Sequence, residues 1–283
     1  MSLRPMQSGD LGRVGTYLKN KEWEHTMLSS RFCRNGKIVM PENSLIYITE
    51  KNETVTGVFL SDQRGYLLMS QESGMMIPAE ILKFCQLATD FYPPYCVAGH
   101  PYLLDAAQGF FGKEIRRTIN YHLMTSTAQT PPLPEIEAMT LHRSKVRDHT
   151  KLLRLELKYQ EEEVFNRELS MQDKIGLTLL YIEKLKKSPS IHAWSHKENM
   201  AIAKAEIAAV AFQYLQLGGV YTLPNWRGKG VAAHVVCRLI QMAHAQNKNL
   251  ALFVKKDNPR AIALYQKLMM EMHSDFRIYY VRD

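Results

Sequence analysis

The order of apolar and polar positions predicts two similar runs of helices and strands. Strands are indicated where β-branched and aromatic residues cluster between turn residues, and helices where apolar residues recur every three or four positions. The first run is predicted as helix, three strands, helix, strand, helix and strand. The bounds are 10–21, 45–49, 54–60, 66–69, 79–89, 95–98, 102–111 and 116–124.

The second run predicts a strand, two helices, three strands, and then helix, strand, helix and strand. Ser170 followed by Asp173 forms a capping-box pattern at the start of its second helix. The predicted bounds are 136–141, 145–159, 171–187, 191–195, 200–207, 212–222, 228–245, 250–254, 259–270 and 276–281. This near repetition suggests an ancient duplication.

A proline-rich segment separates the two runs. Pro131, Pro132 and Pro134 fall within four residues, and proline fixes φ and favours extended backbone in the residue before it. We therefore expect a first domain at 1–128, a stiff linker at 129–134 and a second domain at 135–283.

Composition and charge narrow the class of protein. The chain has 283 residues, of which 46% are hydrophobic and 23% charged, as in globular proteins. Residues 1–134 carry 13 basic and 12 acidic side chains, whereas residues 135–283 carry 23 and 16. The net charge of +7 on the second half indicates an anionic ligand there, such as a nucleotide-bearing cofactor or a nucleic acid.

The absence of certain sequence signals predicts where the protein is located and whether it binds a metal. The four cysteines include no C-x-x-C pair, which favours reduced thiols. His192 and His196 have H-x-x-x-H spacing, but they flank Trp194 on a predicted strand, where the spacing does not indicate a metal site. The first 18 residues have no apolar core of a signal peptide, and no run of about 18 apolar residues occurs. We expect a cytoplasmic protein without a metal and without a membrane segment.

The most informative segment is the turn from Arg227 to Ala232, which reads R-G-K-G-V-A between a predicted strand and a predicted helix. Gly228 and Gly230 let the backbone approach a ligand, and the N–H groups at the helix start favour an anion. The segment is neither G-x-x-x-x-G-K-[ST] nor G-x-G-x-x-G, which excludes the common nucleoside-triphosphate and dinucleotide loops.

Two motifs together resemble the GNAT superfamily of N-acetyltransferases. The first is R-x-x-G-x-A at 227–232, and the second is N-P-R-A-I-A-L-Y at 258–265, where Asn258 can cap a helix that begins with Pro259. The resemblance covers residues 190–283 well, residues 135–189 by element order and residues 1–130 faintly. It implies an α+β fold of two GNAT-like domains, each a mixed, mostly antiparallel twisted sheet flanked by helices.

The resemblance also implies acetyl-CoA as co-substrate. Backbone groups of one strand end would bind the pantetheine arm, the 227–232 turn would bind the pyrophosphate, and an asparagine would contact the cofactor. The corresponding residues are Val220, Tyr221, Thr222, Arg227, Gly228, Lys229, Gly230, Val231, Ala232 and Asn258.

The resemblance implies direct attack of a substrate amine on the thioester. Tyr265 matches the tyrosine that protonates the departing thiolate, a role that suits a phenol with an ordinary pKa of about 10. Many relatives use a glutamate as the base near the start of the fourth strand, where this chain has no carboxylate. Gln216 could orient a water there, and Glu206 on the preceding strand is the nearest acid.

The first half lacks a comparable phosphate turn. Residues 70–78 contain one glycine, no arginine or lysine, and Glu72, which would repel a phosphate. This half is interpreted as a degenerate GNAT-like unit that walls the acceptor cleft or stabilises the second half. The residues after Met270 leave room for one long strand but hardly two. The last strand of the second sheet is therefore expected to be very short or to come from elsewhere, such as the first half or a partner subunit.

The expected activity is therefore acetyl-CoA-dependent N-acetylation of a small amine or an amino-acid-like acceptor. A CoA-binding regulator without turnover, and an acyl or aminoacyl transferase with another donor, are the alternatives. A homodimer is left open, and nucleic acid is a weaker alternative ligand for the basic half.

Overall fold

The computed structural model describes residues 2–75, 78–127, 129, 132–133 and 135–281. Within these residues, twelve strands form one sheet and two short strands form a separate hairpin. The strands are β1 Ser2–Pro5, β2 Cys33–Arg34, β3 Lys37–Ile38, β4 Ser44–Lys51, β5 Thr54–Asp62, β6 Tyr66–Gln71, β7 Cys96–Gly99, β8 Arg117–Thr125, β9 Met139–Arg143, β10 Ser190–Ser195, β11 Met200–Val210, β12 Tyr214–Thr222, β13 Asn249–Lys255 and β14 Glu271–Tyr280.

Helices flank this sheet, so the fold is α+β as expected. The α-helices are α1 Leu11–Lys19, α2 Thr26–Ser29, α3 Pro78–Phe91, α4 Pro101–Phe111, α5 His149–Tyr159, α6 Met171–Lys187, α7 Val231–His244 and α8 Pro259–Lys267. Short 3-10 turns precede several of them, and a π-helical turn at Gln160–Phe165 follows α5. In the described part of the chain, no helix combines the length and apolarity that crossing a membrane requires.

The two halves repeat one strand arrangement. In the first half, β4, β5 and β6 are antiparallel neighbours, and β7 then lies parallel to β6. In the second half, β10, β11 and β12 are antiparallel neighbours, and β13 then lies parallel to β12. The predicted repetition of elements is thus a repetition of topology.

The halves exchange their last strands. β8, from the first half, pairs with β13, and β14, from the second half, lies between β7 and β8. The strand next to β13 therefore comes from the first half, which confirms the prediction that the second sheet is completed from elsewhere. The exchange joins both sheets into one, ordered β7-β14-β8-β13 at the junction.

Most predicted elements are confirmed, and the differences concern ends and short strands. The predicted strand 136–141 is β9 at Met139–Arg143, and a 3-10 turn precedes α5. β14 starts at Glu271 rather than at 276, because it has a partner along its whole length in β8. β1, β2, β3 and α2 were not predicted, since they are too short to show a periodic pattern.

The predicted linker lies only partly within the described residues. Residues 130, 131 and 134 are outside them, and the domain division at 129–134 stays a prediction. Next to the linker, Leu133 and Ile136 pack against the core of the second half.

Helix starts follow the sequence signals. Ser170 Oγ accepts a hydrogen bond from the Asp173 amide at 3.1 Å, and Asp173 accepts one from the Ser170 amide at 2.9 Å, which confirms the predicted capping box. The apolar stripe of α7 is buried in the core of the second half, as its spacing of four indicated. It consists of Val231, Val235, Leu239 and Ala243.

One carboxylate ties the first half to the second. Glu22, in the 3-10 turn Glu22–His25, is buried and accepts hydrogen bonds from the loop between β11 and β12. The donors are the amides of Phe212, Gln213 and Tyr214, at 2.9, 2.5 and 3.0 Å. A loop that would otherwise leave three amides unsatisfied is thereby fixed to the first half.

Replacing Glu22 by alanine should lower the free energy of unfolding by about 3 kcal/mol, because three part-buried N–H groups lose their acceptor. Chemical denaturation measures the change. Glu24→Ala, in the same turn, is the control and should change stability by less than about 1 kcal/mol. Equal stability of the two variants would show that this contact does not hold the halves together.

A fragment of residues 135–283 should be insoluble or aggregated when produced alone. Without the first half, β13 loses its partner β8 and β14 loses both of its partners, β7 and β8, which exposes three strand edges. The soluble fraction and size-exclusion profile measure this, and co-production with residues 1–134 should restore solubility. A monomeric fragment with a cooperative unfolding transition would contradict the prediction.

Candidate functional site

β12 and β13 are parallel neighbours that separate before either strand ends. Their pairing covers residues 214–217 against residues 249–252, but β12 continues to Thr222 and β13 to Lys255. Over that second stretch, β12 stays paired with β11, and β13 stays paired with β8. Each strand therefore presents backbone polar groups to the gap, where a ligand can bond them.

The turn after β12 leaves the first amides of α7 open. Gly228 and Gly230 have φ of 75° and 80°, a left-handed conformation that glycine adopts at little cost. Gly230 directly precedes α7, and no side chain of the described residues caps it. These amides and the helix dipole together make a binding site for an anion.

The gap and the turn open into one cleft of about 1220 Å³. The predicted cofactor residues that line it are Val220, Tyr221, Thr222, Arg227, Gly228, Gly230, Val231, Ala232 and Asn258. The predicted reaction residues line it as well, namely Tyr265, Gln216 and Glu206. Lys229 is exposed instead, and its ammonium lies 5.0 Å from the centre of the Trp226 ring.

An acidic side chain lies beside the turn. Glu162, in the π-helical turn after α5, accepts hydrogen bonds from Arg227 Nη2 and from Tyr221 Oη, both at 2.6 Å. Within the described residues it accepts none from the amides of residues 228–232. The open end of α7 therefore stays available to an anion, with Arg227 held at its side.

α8 supplies the opposite wall of the cleft. Asn258 Oδ1 accepts a hydrogen bond from the Ala261 amide at 3.1 Å, which confirms the predicted cap. Tyr265, further along α8, is buried, and this burial raises the pKa of its phenol above the ordinary value. The phenol is therefore protonated at neutral pH and can donate a proton.

The model of the acetyltransferase (GNAT) family matches residues 153–269. The matched segment contains the gap, the open turn, α7 and α8. This segment is a GNAT domain. The family transfers acetyl groups and uses acetyl-CoA, and the match supports acetyltransferase activity for this segment. No curated protein matches the sequence.

Solved structures share this fold over the whole chain. A GNAT-family acetyltransferase from Colwellia psychrerythraea is 13% identical, with a TM-score of 0.56 and full coverage of both chains. A structural-genomics protein from Drosophila is 15% identical, with a TM-score of 0.65 and coverage of 99% of this chain and 98% of the other. A tandem GNAT protein from the clavulanic acid biosynthesis pathway is 12% identical, with a TM-score of 0.53 and coverage of 98% and 97%.

The matched segment brings Gln216 and Glu206 to the closed end of the gap, which is the end where β12 and β13 are still paired. Gln216 lies opposite Ala251 of β13, and its Oε1 has no hydrogen-bond partner among the described residues. Glu206, on β11, lies opposite Gly218, and its carboxylate fills the space beside the next residue of β12. A Cβ at Gly219 would stand 1.8 Å from Glu206 Oε1.

Glu206 belongs to a group of four charges, of which Glu206, Lys204 and Glu156 are buried and Lys184 is half-buried. Lys204 Nζ lies 2.5 Å from Glu156 Oε2 and 3.4 Å from Glu206 Oε1. Lys184, on α6, forms a second ion pair with Glu206. Burial opposes the charge of Lys204, but Glu206 and Glu156 outweigh it and raise the lysine's pKa. Two ammonium groups thus balance two carboxylates at the base of the cleft.

The cleft extends from the gap to the junction of the two halves. Most of the side chains in this second lobe are aromatic or aliphatic. They are Met27, Tyr66, Ile119, Tyr121, Tyr159, Val164, Ile278 and Tyr280, and Arg117 joins them. Several belong to the exchanged strands β8 and β14, so both halves build this lobe.

The first half contains a similar but occupied gap. β6 and β7 pair only over residues 66–68 and 96–98, although β6 continues to Gln71. Tyr102 Oη, on α4, donates a hydrogen bond to the Gln71 carbonyl. A side chain of the protein thus bonds the backbone group that a ligand would need there.

Sequence reasoning missed Lys204, Glu156, Lys184 and the second lobe. One signal was present, because Lys204 and Glu206 interrupt an apolar strand and Glu156 follows Leu155 on the apolar face of α5. A charge at such positions indicates a buried pair. The lobe had no local signal, since it depends on the strand exchange.

Replacing Gly219 by alanine should displace the Glu206 carboxylate and lower the free energy of unfolding by about 3 kcal/mol, because the new Cβ overlaps Oε1 and φ is 55°. Acetyl transfer should fall as well. Gly176→Ala, on α6, is the control. A Cβ added there would meet no atom within 4 Å, and the substitution should raise stability by up to about 1 kcal/mol. Chemical denaturation and thiol release measure both effects, and a neutral Gly219→Ala would refute the assigned position of Glu206.

Proposed function

We propose that this enzyme transfers the acetyl group of acetyl-CoA to a small primary amine or an amino-acid-like acceptor by direct attack on the thioester. The observation that carries the proposal is the position of Glu206 and Tyr265 on one cleft with the strand gap and the open end of α7. The donor-binding groups, the phenol of Tyr265 and the carboxylate of Glu206 thus line one cleft.

Donor binding rests on backbone groups and on the turn. The unpaired edge of Val220, Tyr221 and Thr222 would bond the pantetheine amides, and the amides of 228–232 would bond the pyrophosphate. Asn258 would contact the same arm from α8. Because Lys229 is exposed and is not among the lining residues of the cleft, its role would be limited to its backbone amide.

Proton transfers are assigned to two side chains. Glu206 would accept a proton from the acceptor ammonium, since its carboxylate lies beside Gly219 at the closed end of the gap. Tyr265 would protonate the departing thiolate, since its phenol lines the cleft and is protonated at neutral pH. Gln216, whose amide oxygen is buried without a partner among the described residues, would orient the acceptor or a water.

The second lobe is the proposed acceptor site. Its aromatic and aliphatic side chains suit an acceptor with an apolar body, and Glu206 lines the same cleft. The first half, residues 1–128, would then be a GNAT-like unit that no longer binds CoA but walls this lobe. The Tyr102 contact that occupies its own gap supports this role.

Calorimetry with acetyl-CoA, followed by a thiol-release screen over primary amines and amino acids, tests the proposal. Binding with release on at least one acceptor supports it. Binding without release on any acceptor would favour a CoA-binding regulator, and absence of binding would refute the donor site.

Tyr265→Phe should lower the turnover number by about 100-fold, because the thiolate loses its proton donor. The affinity for acetyl-CoA should stay unchanged, since the ring still fills its place. Thiol release with the best acceptor of the screen and calorimetry with acetyl-CoA separate the two quantities. Tyr92→Phe, outside the cleft, is the control, and equal turnover of both variants would remove the role of Tyr265.

A further inference from the structure

A lysine of the chain itself occupies the place where an acceptor amine is expected. Lys184 extends from α6 into the cleft, and its ammonium forms an ion pair with Glu206 Oε1. Its side chain is 34% exposed, whereas Lys204, the other partner of Glu206, is fully buried and is not among the lining residues. Lys184 is therefore a primary amine that can be reached from the cleft.

The contact lies at the closed end of the strand gap. The last paired residue of β12 is Leu217, and Gly219 follows two positions later with Glu206 Oε1 against it. The amine of Lys184, bonded to that same oxygen, therefore lies beside the first unpaired residues of β12. A pantetheine arm bound along β12 would bring its thioester toward this end.

We propose that Lys184 is a self-acetylation site and that its Nζ takes the acetyl group from acetyl-CoA within one chain. This inference rests on the proposed function, since it uses the same donor site and Glu206. It adds a modification site that needs no external acceptor.

The step balances as an ordinary acyl transfer. The Lys184 ammonium gives one proton to Glu206, and its neutral nitrogen attacks the thioester carbonyl carbon. The C–N bond forms and the C–S bond breaks, and the thiolate leaves with a proton from Tyr265. The second N–H proton replaces the one that Tyr265 gave, and Glu206 releases its proton to solvent. One amide, one free thiol and one proton result.

The other lysines that line the cleft do not combine an accessible amine with an ion pair to Glu206. Lys255 bonds Glu163 through both the backbone carbonyl, at 2.9 Å, and the carboxylate, at 3.2 Å. Lys255 lies opposite Tyr121 and is four residues further along β13 than Ala251, which lies opposite Gln216. Among the described residues, Glu206 pairs with Lys184 and Lys204 alone.

Incubation of the full chain with acetyl-CoA alone tests the proposal, with intact mass and peptide mapping as readouts. We expect one acetyl group per chain on Lys184, at a rate per molecule that does not change when the protein is diluted. Lys187, on the same helix with a side chain that is 71% exposed, is the internal comparator for uncatalysed acetylation. Lys184 should react about 100-fold faster, because its amine is held beside the donor.

Two variants sharpen the result. Lys184→Arg keeps a cation for Glu206 but should abolish the modification, and Glu206→Gln should slow it at Lys184 without changing the rate at Lys187. Calorimetry with acetyl-CoA accompanies each measurement. Acetyl-CoA binding without modification of Lys184, or equal rates at Lys184 and Lys187, would overturn the self-acetylation alone. Absence of acetyl-CoA binding would overturn the proposed function with it.

Discussion

The separation of two parallel strands is the constraint on which the site depends. β12 and β13 each keep a partner on their outer edge, β11 and β8, while their shared edge opens after Leu217 and Leu252. Unpaired backbone groups in a protein interior are costly unless something bonds them. The gap therefore offers main-chain groups to a ligand, and the open end of α7 adds amides that favour an anion.

The closed end of the gap is shaped by a missing side chain. Because Gly219 has no Cβ, a carboxylate from the neighbouring strand β11 can occupy its place. Lys204 and Lys184 compensate the burial of that carboxylate, since a lone charge would be strongly disfavoured there. The strand exchange then adds β8 and β14 to the floor, so that the second lobe belongs to both halves.

Local signals explain what could be predicted from the sequence. The 227–232 turn and the Asn258 cap depend on residues close in sequence, and both lie where the motifs indicated. The partners of Glu206 could not be assigned in the same way, because α5, α6 and β11 meet only after folding. Lys184 shows the difference: it lies in the last turn of α6, and its ion pair with Glu206 forms only when α6 packs beside β11.

Amide hydrogen exchange with and without acetyl-CoA tests the central claim most directly. If main chain in the gap and the open turn hold the donor, protection should rise at residues 218–222 and 228–232 and stay unchanged at residues 66–71 of the first half. Unchanged exchange in the first two segments, or protection confined to the third, would contradict the account.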